Sequence, residues 1–180
     1  MVQMSERLTK SDWVAHGLRT LASSGAGALK AGSMADALKV SRGSFYWHFE
    51  DVGNFKRQLM EKWRELATER VIDELEEDGA KSNRLRRLMH KGLSEEHALD
   101  RAVRLWATDD EDVAAVVASV DARRVDFIAG LLLASGVNPE EAPGRARFVY
   151  WAYLGRSLAT GAHEAIEAST LDGISDLLQT

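Results

Sequence analysis

Ser41-Arg42-Gly43-Ser44-Phe45-Tyr46-Trp47-His48-Phe49 puts four aromatic side chains, five counting histidine, into nine residues of a chain that is only 7% Phe, Trp and Tyr. A soluble domain buries such a cluster, yet Arg42, Gly43, two serines and His48 are interleaved with it, and those residues make poor core. On a helix turning about 100° per residue, Phe45 and Phe49 share one edge. Gly43, Ser44 and Trp47 lie opposite, flanked by Tyr46 and His48. The segment therefore reads as a short helix with a narrow apolar anchor and a broad outward face, and Ser41 stands where its N-cap should be. Gly43 weakens a helix interior but lets a partner surface approach the backbone. Ser44, Tyr46 and His48 carry hydrogen-bonding groups for phosphates or base edges, and first-turn N–H groups favour anions. Arg42 projects near the apolar side of an ideal wheel, but from the first turn its side chain reaches a phosphate or a guanine edge.

The preceding residues set this helix in context. Ser33 with Asp36 reads as a capping box with Asp in place of Glu, opening a short helix that turns Met34, Ala35 and Leu38 inward and stops around Lys39. Two short helices joined by three or four residues form a helix-turn-helix arrangement, with Lys39 at the turn where glycine is usual. Before them, Ser11 is the expected cap of a first helix. Asp12 suits its first turn, Val14, Leu18 and Leu21 form its apolar stripe, and Gly25 and Gly27 end it.

Composition supports an all-α reading. Pro139 and Pro143 are the only prolines in 180 residues, and no window alternates strand-fashion over more than a few residues. A long helix is expected from about Gly53 to Glu77, carrying Phe55, Leu59, Trp63, Leu66, Val71 and Leu75 and ending at Asp78-Gly79. Residues 82–97 carry Leu85, Leu88, Met89 and Leu93 at helical spacing, and 98–107 form a shorter piece. Residues 110–135 form a long helix with Val113, Val116, Val117, Val120, Phe127 and Leu131, stopped by Gly136. Asn138 with Pro139 reads as a cap and first helical residue, opening a helix to about Thr160. Leu171, Ile174, Leu177 and Leu178 mark a last amphipathic segment.

Net charge is −5, unevenly spread: residues 1–57 hold eight Lys/Arg against five Asp/Glu, a local +3, and the remainder is −8. A basic end on an acidic body suits a nucleic-acid contact confined to that end. No apolar run approaches the roughly 18 residues of a membrane span. MVQMSERLTK lacks the apolar stretch of a secretory signal, and cysteine is absent. A cytoplasmic protein with no membrane association is expected.

Catalytic and metal signatures are missing. None of His16, His48, His90, His97 or His163 has Glu three residues before it, as a bundle di-metal centre requires. His90, Glu95, Glu96 and His97 make no ligand pattern across Gly92-Ser94. There is no phosphate-binding glycine loop or nucleophile elbow, and Asp109-Asp110-Glu111-Asp112 reads as negative charge at a helix N-terminus, not a calcium loop. No enzyme activity, cofactor or metal is expected.

Met34-Ala35-Asp36-Ala37-Leu38-Lys39-Val40, followed by the opening stretch, is similar to the most recognisable segment of the TetR family of transcriptional regulators, the specific part being Tyr46-x-His48-Phe49 after Gly43-x-Phe45. Residues 10–75 resemble that family's DNA-binding domain. The resemblance implies a helix-turn-helix domain over 1–56 and a helical ligand-binding and dimerisation domain over 57–180. It also implies recognition positions at Ser41, Arg42, Gly43, Ser44, Tyr46, Trp47 and His48, and a phosphate contact at Ser33. One position departs: Val52 stands where the family commonly carries a phosphate-binding Lys, leaving Asn54, Lys56 or the helix N-terminus to compensate.

The resemblance further implies a homodimer, with residues 139–161 and 171–179 pairing with their symmetry mates through Phe148, Trp151, Ala152, Gly155, Leu158 and Ala159. It also implies a small-molecule effector in the C-terminal domain, for which Trp63, Met89, His90, His97, Trp106, Phe127 and Trp151 are candidate lining residues. Three readings stand side by side: a repressor released from a palindromic double-stranded DNA operator by that effector; an all-α small-molecule-binding protein or enzyme whose aromatic segment is core; and a helical adaptor for protein partners.

Overall fold

Phe45 and Phe49 are fully buried, and their surroundings explain how the first helices come together. In the computed structural model, which describes residues 8–77, 83–94, 97–159 and 166–180, these helices are α1 (Lys10–Ser24), α2 (Ala31–Ala37), α3 (Arg42–His48) and α4 (Val52–Arg64). The Phe45 ring meets Trp13 of α1 at 5.4 Å and Phe55 of α4 at 5.3 Å between centroids, and Phe49 meets Phe55 at 4.9 Å, all edge-on. Edge-to-face pairing adds to the area these rings remove from water. α1 lies close on α4: a Cβ at Gly17 would stand 2.6 Å from the Phe55 ring and 2.8 Å from Leu59.

Two of these four helices start elsewhere than the sequence implied. α1 is capped by Thr9, not Ser11. The Thr9 hydroxyl accepts from the Asp12 N–H at 3.2 Å, and Asp12 accepts from the Thr9 N–H at 2.7 Å. Both Thr9 and Ser11 can cap, but only Thr9 is three residues before the acid, so the reciprocal bonds select it. Ser33 does not cap α2, which begins at Ala31 with Lys30 at the N-cap; Ala31 and Met34 then face the core together. Lys39 does make the turn, at φ 56°, with the Val40 N–H donating to the Ala35 carbonyl at 3.0 Å.

α4 is capped by Asp51, which accepts from the Asn54 N–H at 2.6 Å. It passes through a π-helical turn (Glu65–Glu69) into α5 (Arg70–Glu77). This wide turn overturns part of the expected stripe. Leu66 and Val71 are half-buried, whereas Thr68, Ile72 and Leu75 face inward. A π turn holds one residue more than an α turn, so everything after it is rotated about the axis relative to a regular helix.

Then follow α6 (Arg84–Ser94), α7 (Ala98–Trp106), α8 (Glu111–Ala134), α9 (Ala142–Leu158) and α10 (Ala168–Leu178). No strand occurs among the described residues. The expected spacing of α6 buries Leu85, Met89 and Leu93. α8 ends as expected at Gly136, φ 97°, with the Val137 N–H donating to the Leu132 carbonyl at 3.1 Å. α9 begins three residues later than Pro139 implied: the Asn138 side chain accepts from the Glu140 N–H at 2.9 Å, making a local turn, and Pro143 is the proline in the first helical turn. Leu177 of α10 is not inward but exposed. Ser82, Asp78-Gly79, Glu95, Glu96, Thr160 and His163 lie outside the described residues.

α8 packs along α9, α7 against α1 and α8, and α6 against α8, α9 and α10. The apolar interior falls into two clusters. One joins Trp13, Phe45, Phe55 and Trp63 to Val103 and Trp106 of α7 and the first half of α8. The other joins the second half of α8 to α6, α9 and α10. The expected boundary between residues 56 and 57 falls inside α4, whose Phe55, Leu59 and Trp63 all belong to the first cluster.

Candidate functional site

α3 divides its side chains sharply. Below, Phe45 and Phe49 are anchored; above, Tyr46 is 46% and Trp47 66% exposed. Arg42 reaches along this outer face: its guanidinium lies 5.7 Å from the Tyr46 ring centroid and donates to the Tyr46 hydroxyl at 3.2 Å. Ser41, at the N-cap, and Gly43 are exposed, and Ser44 is half-buried. A Cβ at Gly43 would meet nothing nearer than the Ser41 Oγ at 3.7 Å. Packing within the chain therefore places no demand for glycine there. Ser33 is exposed on α2.

His48 differs from its neighbours. It is half-buried, and its Nε2 donates to the Leu8 carbonyl at 2.8 Å, tying the chain before α1 to the end of α3. Lys56 likewise has partners inside the chain: Asp110 at 3.3 Å and the Trp106 ring at 5.1 Å. Lys30, Lys39 and Arg42 are exposed around α2 and α3.

Between the two apolar clusters lies a polar network that the sequence did not announce. Asp100 of α7 accepts from the Trp63 indole N–H at 3.1 Å, the Tyr153 hydroxyl at 2.9 Å, Arg104 at 3.2 Å and Arg124 at 3.2 Å. Arg104 also binds Asp121 at 2.7 Å, and the Tyr150 hydroxyl donates to Asp121 at 2.5 Å. Arg124 fastens the π turn, donating to the Thr68 hydroxyl at 3.1 Å and the Ala67 carbonyl at 3.0 Å. Burial alone would raise the Asp100 carboxyl, but the charge of Arg124, its hydrogen bond and then Arg104 and Tyr153 hold it below the usual carboxylate range. Burial, with the hydrogen bond to Asp121, pushes the Tyr150 hydroxyl up to about 12 against the pull of Arg124 and Arg104. Two cations face two anions, so the network is internally neutral. Asp100 and Arg104 stand four apart on α7, but the network as a whole draws on four helices, which no single spacing joins.

This network walls a cavity of about 310 Å³ formed between α4–α9 and the π turn. Four of the seven candidate lining residues reach it: Trp63, Met89, His97 and Phe127. The other three do not. His90 binds Asp172 of α10 at 2.8 Å, Trp106 packs in the first cluster and donates to Asp110 at 3.1 Å, and Trp151 faces outward. The sequence reading missed the polar wall of Asp100, Arg124, Tyr150 and Tyr153, whose only signal was acid and base within otherwise apolar helices.

The outer face of α9 carries the dimer candidates. Phe148 is 60%, Trp151 64% and Leu158 43% exposed. Ala152 and Gly155 are exposed between them, Ala159 is half-buried, and a Cβ at Gly155 would meet nothing within 4 Å.

No helix of the described residues is long and apolar enough to cross a membrane, and none of their acids and histidines gather in threes as metal ligands do. No protein-family model matches the chain, and no curated protein matches its sequence.

Proposed function

We propose that this chain is a DNA-binding transcriptional regulator of the TetR type: a dimeric repressor that holds a palindromic operator and releases it when a small molecule occupies the cavity. The observation that carries the reading is the outer face of α3, where Arg42, Tyr46 and Trp47 stand exposed over a buried Phe45–Phe49 anchor. Adjacent large aromatics exposed together, unlike single ones, mark a contact surface. Combined with Arg42, Ser41 and an unencumbered Gly43, they suit a major groove, with phosphates met by Ser33 and the exposed Lys30 and Lys39. Exposure of this face speaks against a segment that is wholly core.

His48 acts mainly as a positioning residue in this reading, since its Nε2–H is engaged by Leu8. Lys56 is held by Asp110 and gives no phosphate contact in place of the lysine absent at Val52. One α3 reads few base pairs, so two copies are required. The exposed α9 stripe is the surface for a two-fold pairing that sets the two α3 helices one or more DNA turns apart, about 34–36 Å per turn. No catalytic role is assigned.

Gel-shift titration against DNA flanking the chain's own gene tests this. Arg42→Ala and Tyr46→Ala are expected to abolish specific binding with little change in thermal stability. Phe45→Ala is expected to cost about 3–5 kcal/mol of stability. Equal unfolding in all three variants, or no shift by the wild type at low salt, refutes the reading.

A further inference from the structure

The cavity next to the π turn is lined mostly by apolar side chains. Its one described histidine, His97, donates its Nε2–H to the Gly92 carbonyl at 2.7 Å and packs edge-on to Tyr153. Three residues on its described wall carry formal charge: Lys91, Asp100 and Arg124. Each is already answered. Lys91 binds Glu74 at 2.7 Å. Asp100 is held by Arg104 and Arg124 as well as by Trp63 and Tyr153. Arg124 directs its guanidinium nitrogens to Asp100, Thr68, Ala67 and Tyr153, and its guanidinium carbon lies over the Trp63 and Tyr153 rings at 5.7 and 5.3 Å. An ionic ligand entering here would lose its water without gaining a counter-charge, and that cost is large. A neutral apolar ligand needs no such partner and gains the burial of its surface.

Size narrows the class further. An apolar cavity of about 150 Å³ accommodates one benzene ring, so the 310 Å³ here suits about two fused rings. Aromatic and sulfur-bearing neighbours, Trp63, Phe127, Tyr153 and Met89, line the wall; they favour a flat, polarisable guest.

From these observations we infer that the cavity binds an uncharged, largely apolar molecule of about two fused rings and discriminates against the ionic forms of the same skeleton. The inference rests on reading this cavity as the effector site.

The test uses four probes of one skeleton: naphthalene, 2-naphthol, 2-naphthoate and 2-naphthylmethylammonium, titrated at pH 7 by calorimetry and thermal shift with no DNA present. The two neutral probes are expected to bind saturably and raise Tm, and the two ions to bind at least roughly tenfold more weakly. Either ion binding as tightly as its neutral counterpart, or neither neutral probe binding, overturns the inference. Leu88→Trp and Val71→Trp, each at a half-buried wall position, are expected to keep native helicity and lose the neutral probes. A folded variant of either kind that retains wild-type affinity places the probe elsewhere and also overturns it. Operator release is read separately. Neutral-probe binding by a chain that holds no DNA removes the regulator reading and leaves this one; operator release by 2-naphthoate alone does the reverse.

Discussion

Lys39 carries the turn between α2 and α3 with φ at 56°, a conformation that costs a non-glycine residue about 1–2 kcal/mol. It is exposed, and its backbone bonds do not depend on its side chain. Lys39→Gly is therefore expected to stabilise the chain by up to about 1 kcal/mol, the relief of strain being partly offset by greater freedom of the unfolded chain. Urea denaturation measures the difference, and any loss of stability contradicts it. Asp100 makes a second prediction at this scale. Its carboxyl is held below the ordinary range in the folded chain, so the contribution is fully present above the unfolded carboxylate pKa of about 3.9 and is lost as pH falls through the lower, folded value. Asp100→Asn is expected to cost about 3–5 kcal/mol at neutral pH by taking from Arg124 its carboxylate partner, while Arg104 keeps Asp121. In acid, the gap between variant and wild type should narrow. A gap independent of pH between 7 and 3 would mean that the carboxylate charge is not what the network uses.

Among the described elements, the π turn (Glu65–Glu69) breaks the regular helix expected from about Gly53 to Glu77. A regular helix continued from Trp63 would bring Arg70 beneath it two turns on, while the wide turn brings in Thr68, Ile72 and Leu75. Arg124 holds the turn from across the interior, through Thr68 and Ala67. Ala67 lies within that turn, and deleting it removes the extra residue, so a regular α pitch would still turn Thr68, Ile72 and Leu75 to the side of Trp63. The deletion is therefore expected to cost only about 1.5–3 kcal/mol, the worth of the hydrogen bond that the Ala67 carbonyl accepts from Arg124. Chemical denaturation checks it, and complete unfolding of the variant would mean that the wide turn itself is required.

For the whole molecule, the exposed stripe of Phe148, Trp151, Ala152, Gly155 and Leu158 is the surface that the proposed dimer would bury. Small residues between large ones let two copies of α9 approach closely, and burying such a patch is the main gain on pairing. Trp151→Glu and Gly155→Arg are expected to convert a dimer to a monomer in sedimentation velocity with unchanged helicity, and to weaken operator binding steeply. Because both sites are exposed and unpacked within the chain, unfolding of the isolated variants would contradict their placement at an outer face.

The sequence by itself determined that the chain is helical, where most helices lie, and that Phe45 and Phe49 point inward while Tyr46 and Trp47 do not. Those are consequences of period and turn chemistry, which act over a few neighbouring residues. It placed the caps of α1, α2 and α9 less well, because several residues able to cap or start a helix stood within three positions of one another. Only the tertiary structure decided that Trp63, Asp100, Arg124 and Tyr153 meet, that Lys56 turns to Asp110 and His48 to Leu8, and that a π turn rotates α5. Each depends on which helix lies beside which. Contacts between residues tens of positions apart leave no periodic trace in a single sequence, and a charge inside an apolar helix reads as an anomaly until its partner is seen.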